Sequence, residues 1–110
     1  MQNENDHAKI KQILLTGIAI SVNNIVNSNT TRTADGMEPY KYLYLEIHTD
    51  MSFEIKERKK SILLYNPTHP DTILRGEFSG YVDYPDIDVA REQSDIEAML
   101  KLLETLPMGG

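Results

Sequence analysis

NNIVNSNTTRTADGMEPYKYLYLEI, from Asn23 to Ile47, is the stretch in which the chain changes period. Before it, apolar and small residues recur at Ile10, Leu14, Gly17, Ser21 and Ile25, at spacings of 4, 3, 4 and 4. Ile13, Ile18 and Val22 widen that stripe. This is the pattern of an amphipathic helix with a broad buried face. It predicts a helix over residues 8–26, capped from the polar head Asn3 to Asp6. Inside the stretch, the Asn, Ser and Thr side chains of Asn27 to Thr31 compete for nearby backbone hydrogen bonds and end the helix. Asp35-Gly36 marks a turn. After Pro39 the period becomes two: Leu43, Leu45 and Ile47 point one way, and Tyr40, Tyr42, Tyr44 and Glu46 the other.

Working outward, Phe53 and Ile55 alternate with Glu54 and Lys56 as a second strand. Glu57 to Lys60 reads as a charged turn, and Ser61 to Tyr65 as a third strand ended by Asn66-Pro67. The three segments form a small antiparallel sheet, or a hairpin with an added strand, whose apolar face needs a cover. Residues 66–85 hold Pro67, Pro70, Pro85, Gly76 and Gly80 and read as loop. The last element is a helix that begins either at Asp88 as N-cap or at the capping box Ser94-x-x-Glu97. Its seam runs Val89, Gln93, Ile96, Leu100 and Leu103, with Met99, Leu102 and Leu106 beside it. Glu92, Asp95 and Glu97 sit near its start, where the helix dipole favours them. Pro107 and Gly109-Gly110 stop it. The fold class is therefore α+β, with N- and C-terminal amphipathic helices flanking a small antiparallel β region. The segments are residues 1–33, 34–87 and 88–110.

Composition excludes several functions. The 110 residues fit one small domain, and the absence of cysteine removes disulfide scaffolds, thiol nucleophiles and cysteine-rich zinc sites. The net charge is -6, and residues 76–110, with eight acidic side chains against Arg91 and Lys101, carry a net -6 by themselves. Such a chain is not expected to bind nucleic acid, which needs a basic surface. The apolar run from Ile13 to Val22 is broken by Thr16, Gly17 and Ser21, and is too short to cross a bilayer. The polar start MQNENDHAKI has no basic region ahead of an apolar one, so neither membrane insertion nor a cleaved signal peptide is expected.

Chemistry-bearing residues are few. His48-x-Asp50 and His69-x-Asp71 would offer a metal only two histidines, short of the three or four converging ligands zinc needs. EIKERKK, Glu54 to Lys60, reads as a solvated hairpin tip with edge-protecting lysines. The tyrosine row lacks the basic surround of a base-stacking platform and suits a neighbouring protein face. No nucleophile stands beside a histidine and an acid, and no glycine loop cradles phosphate. No enzyme activity, metal or cofactor is expected.

Three blocks, the first running unbroken from Ser21 to Tyr40, carry a resemblance. Ser21 to Thr33, SVNNIVNSNTTRT, resembles the N-terminal signature of flagellar basal-body rod and hook proteins. Ala34 to Tyr40, ADGMEPY, resembles the turn into the first strand of the C-type proximal rod proteins. YNPTHPD at Tyr65 to Asp71 and GYVDYPDIDV at Gly80 to Val89 are similar to two further segments of that family, in the same order. The chain departs from the family at Val22 and Val26, where small residues are usual, and from Gln93 onward. Its C-terminal helix, about 28 Å long at 1.5 Å per residue, is several turns shorter.

The resemblance implies a structural subunit of the bacterial flagellar basal body, in the proximal rod that spans the periplasm and transmits torque for cell motility. It implies export by the flagellar type III apparatus without a cleaved signal peptide. The implied partners are other rod and hook-basal-body proteins, together with further copies of the chain. It also implies subunit packing through Leu14, Ile18, Asn24, Ile25, Asn27, Asn29 and Thr30. On the C-terminal helix the packing positions are Ile96, Leu100 and Leu103. Terminal helices of this kind are expected to be partly disordered in the free monomer and to fold on assembly. The alternative is a truncated or divergent rod paralogue that acts as an interaction module without polymerising.

Overall fold

The computed structural model describes residues 4–34, 36 and 38–106, with side chains from Asp6 onward. The expected N-cap at Asn3, the Asp35 side of the turn and the Pro107–Gly110 stop lie outside the described residues.

The element order is α1 (Glu4–Val26), β1 (Tyr42–Ile47), β2 (Phe53–Arg58), β3 (Ser61–Tyr65), β4 (Tyr81–Pro85) and α2 (Val89–Thr105). The architecture is α+β, with two terminal helices flanking two small antiparallel sheets. α1 starts four residues before the expected Ala8. α2 uses the Asp88 cap rather than the Ser94 box: the Asp88 carboxylate accepts from the Arg91 backbone N–H at 3.1 Å.

The β region corrects the expected single sheet. β1 and β2 pair from Tyr42↔Arg58 to Ile47↔Phe53, and their turn is His48 to Ser52. EIKERKK is therefore not a hairpin tip. It supplies most of β2 and the two-residue link Lys59-Lys60. β3 does not join β2. It pairs with Tyr81–Pro85, from Ser61↔Pro85 to Tyr65↔Tyr81, a strand inside the segment expected to be loop. β2 presents Glu54, Lys56, Glu57 and Arg58, whereas β4 offers β3 an aromatic and β-branched partner whose Val82 becomes fully buried. Pro85 sits at the end of β4, where its missing N–H breaks no ladder bond.

α1 packs on α2 and against β1. Gly17 makes the helix contact close: a Cβ there would lie 2.6 Å from the Met99 sulfur and 3.7 Å from Leu45 Cδ1. Asn24 of α1 touches Glu92 of α2, and Gly17 lies under Met99, so the helices run antiparallel. The side of α2 turned to α1 thus follows Glu92, Ile96, Met99 and Leu103. The expected seam through Gln93 and Leu100 is displaced, and both of those residues are exposed. The buried apolar side chains among those described are Leu14, Ile20, Val82 and Pro85.

Candidate subunit-packing surface

The centre of the molecule is polar. Asn24 is 0% exposed and its amide is fully used. Its nitrogen donates to the Leu43 carbonyl at 3.0 Å and to Glu92 Oε1 at 2.6 Å. Its oxygen accepts from the Tyr40 hydroxyl at 2.6 Å and from the Leu43 N–H at 3.1 Å. Two donors and two acceptors exhaust an amide side chain. By pairing with both backbone groups of Leu43, Asn24 serves β1 as a neighbouring strand would, and joins it to α1. Glu92, 5% exposed, takes the remaining N–H and lies in the first turn of α2, where the helix dipole favours an anion. The Tyr40 hydroxyl in turn accepts from the Asn23 amide at 2.9 Å. Tyr40 therefore precedes the strand and does not continue the outward tyrosine row.

The helix end is built by the same motif. Asn27 donates to the Asn23 carbonyl at 3.0 Å and accepts from the Thr30 hydroxyl at 3.0 Å, while the Thr30 carbonyl accepts from the Tyr40 N–H at 3.0 Å. The next two residues reach β3–β4. The Thr31 hydroxyl donates to Asp71 at 2.6 Å, and the Arg32 guanidinium lies 3.2 Å from the same carboxylate. His69 Nδ1 accepts from the Asp71 N–H at 2.9 Å, and its ring meets Tyr84 edge-on at 5.8 Å. Asn66 donates to the Tyr84 hydroxyl at 3.0 Å. The three sequence blocks therefore converge on one continuous hydrogen-bonded frame.

Of the expected packing residues, Leu14 is buried inside the chain and Asn24 is consumed within it. Ile18, Ile25, Asn27 and Thr30 are half-buried, and Asn29 is exposed at the helix end. On α2, Ile96 and Leu103 are half-buried and Leu100 is 48% exposed. A second apolar row on α1 faces solvent: Leu15, Val22 and Val26, with Ile18 between them. Leu100 and Leu102 of α2 are exposed as well, on the two flanks of the side that α2 turns to α1.

The hairpin carries the remaining charge chemistry. Ligand atoms of Glu46, His48 and Glu54 lie within 4.8 Å of one another, so these residues could hold a cation. Glu46 already takes Lys56 Nζ at 2.6 Å, which lowers the Glu46 pKa and raises that of Lys56. His48 Nε2 lies 3.1 Å from Glu54. Asp50 turns away to Ser52, whose hydroxyl and N–H lower its pKa. Tyr42 and Tyr44 stack, with the Arg58 guanidinium 5.5 and 5.8 Å from their ring centres. Burial raises the Tyr42 pKa.

The buried role of Glu92 had no counterpart in the sequence reading, because an acid in a first helical turn already has a sufficient reason to be there. Its spacing of four from Ile96 and seven from Met99 was the available signal.

No family model matches the chain. Among curated proteins, the flagellar basal-body rod protein FlgC of Borreliella burgdorferi is 31% identical over 103 residues, covering 72% of this chain and 67% of the relative. The chain belongs to the flagellar basal-body rod protein family. The rod-protein signature is thus, in this chain, a set of residues that join the first helix to both sheets. No helix among the described residues is long and apolar enough to cross a membrane.

Proposed function

We propose that this chain is a structural subunit of the bacterial flagellar basal body, of the C type of the proximal rod. The observation that carries the reading is the similarity to FlgC, together with the frame that its motif blocks build. The subunit assembles through its terminal helices. Leu15, Val22 and Val26 of α1, and Leu100 of α2, are the apolar side chains available to neighbouring rod and hook-basal-body subunits, including copies of itself. Segments 1–33 and 88–110 form the assembling layer, and 34–87 the β region standing off it. The chain reaches the periplasm-spanning rod through the flagellar type III apparatus and transmits torque there as a rigid part. Its chemistry is packing, not catalysis.

The test is genetic. Deletion in a flagellated host is expected to abolish motility and hook formation, and the wild-type gene to restore both. Leu100→Asp, at an exposed position, is expected to give a folded chain that restores neither. Normal motility in the deletion strain would show the rod role to be wrong.

One observation favours a second reading. α2 folds back on α1 within the chain, so the helices already cover part of each other. A divergent rod paralogue that binds a partner without polymerising fits that arrangement. Motility lost on deletion but restored by Leu100→Asp would favour it.

A further inference from the structure

The helices meet along a self-similar repeat. α1 turns Leu14, Gly17, Ser21 and Asn24 inward at spacings of 3, 4 and 3, and α2 presents Glu92, Ile96, Met99 and Leu103 at spacings of 4, 3 and 4. A repeat of this kind superposes on itself after seven residues, so apolar content alone defines its register poorly. α2 is a pronounced case: its buried residue is Glu92, and no apolar side chain of the described helix is fully buried.

We propose that the Asn24–Glu92 pair is a register lock between the terminal helices. A slide of one heptad is about 10.5 Å at 1.5 Å per residue. In one direction it sets Asn24 against Met99 and carries Glu92 past the end of α1 at Val26. In the other it sets the Glu92 carboxylate against Gly17, which has no side-chain donor, and leaves Asn24 facing Pro85, outside α2. Either slide strips a buried amide N–H of its acceptor, and the second also encloses an unpaired carboxylate. The docked register alone satisfies both groups. By fixing it, the lock determines that Met99, and not a residue one heptad away, enters the space over Gly17. The lock belongs to the single chain and does not depend on the rod reading.

The chain has no cysteine, so spin labels can be placed without removing any. Ala19→Cys and Glu97→Cys put nitroxides on exposed positions that the antiparallel register sets side by side. Electron–electron distance measurement is expected to give one narrow distribution. Glu92→Gln keeps an oxygen that accepts from Asn24 and is expected to keep that distribution. Glu92→Ala keeps helix propensity but removes the acceptor. It is expected to broaden the distribution or add a second population displaced by up to about one heptad, with helix content by circular dichroism unchanged. If Glu92→Ala does not fold, Glu92→Met, of similar volume, is read in its place with the same expectation. A distribution that stays narrow in the variant read would show that the short β4–α2 link and the apolar seam fix the register, and would overturn the lock. Broadening in Glu92→Gln equal to that in Glu92→Ala would overturn it too, because the hydrogen bond would not be its basis.

Discussion

Tyr40 holds the most exposed chemistry in the buried network. Its hydroxyl must keep its proton to donate to Asn24. Burial raises its pKa above the ordinary 10.0; the Asn23 amide offsets part of this, and the Glu92 and Glu57 carboxylates add to it. A group whose folded pKa is raised contributes stability that is fully present below the unfolded pKa and is lost as pH rises through the folded one. The window here lies above pH 10. The urea midpoint of the wild type is expected to fall there more steeply than that of Tyr40→Phe. Below it, the variant should be less stable by about 0.5–1.5 kcal/mol, the net worth of one hydrogen bond. Denaturation across a pH series measures both, and the difference between the proteins isolates Tyr40 from the five other tyrosines. Parallel curves at all pH values would show that Tyr40 does not carry this linkage. At this scale the sequence was least legible. Tyr40 alternates in phase with Tyr42 and Tyr44, and only the fold shows that it turns inward to a helix sixteen residues away.

At the scale of elements, legibility followed the range of the forces. α1, β1 and β2 have strong local periods, and they stand within a few residues of their expected places. β4 was missed because its signal is not local. Tyr81–Pro85 follows a glycine and ends on a proline, and it becomes a strand only through β3, fifteen intervening residues away. Gly80 makes that return possible: its φ is 89°, its N–H donates to Ile73 O and its carbonyl accepts from Asn66. A Cβ at Gly80 would lie 2.7 Å from Tyr65 Cε1, whereas one at Gly76, with φ 91°, meets nothing within 4 Å. Gly76→Ala is therefore expected to cost only the left-handed backbone strain, about 1–2 kcal/mol. Gly80→Ala should cost more, because Tyr65 must also leave its edge-on contact with Tyr81. Amide exchange of the Gly80 variant should rise in β3–β4 before it rises in α1. Equal losses from the two substitutions would show that the Tyr65 contact adds nothing.

At the scale of the whole molecule, the chain is long and thinly cored. Its extents are 60 × 23 × 20 Å and its radius of gyration is 18.1 Å, against about 13 Å for a compact domain of this size. Its accessible surface of 7807 Å² exceeds the roughly 6,200 Å² expected for a folded monomer of this mass. The excess fits helices that leave apolar rows uncovered, with Val26 74% exposed. Stability should then be uneven along the chain, since local opening is easiest where few apolar contacts are buried. The antiparallel register sets Thr105, the end of α2, beside about Lys11, so Glu4 to Lys9 reach past α2. The sequence reading expected both terminal helices to be partly disordered, and the Asn24 network narrows where. Hydrogen exchange of the isolated chain is expected to be fastest in Glu4 to Lys9 and from Leu100 onward, and slowest around Asn24, Leu43 and Glu92. On joining a rod assembly, the two fast regions should become protected while the centre changes little, because the centre is already satisfied within one chain. High protection along both helices in the free chain would leave assembly nothing to order, and would favour the non-polymerising reading.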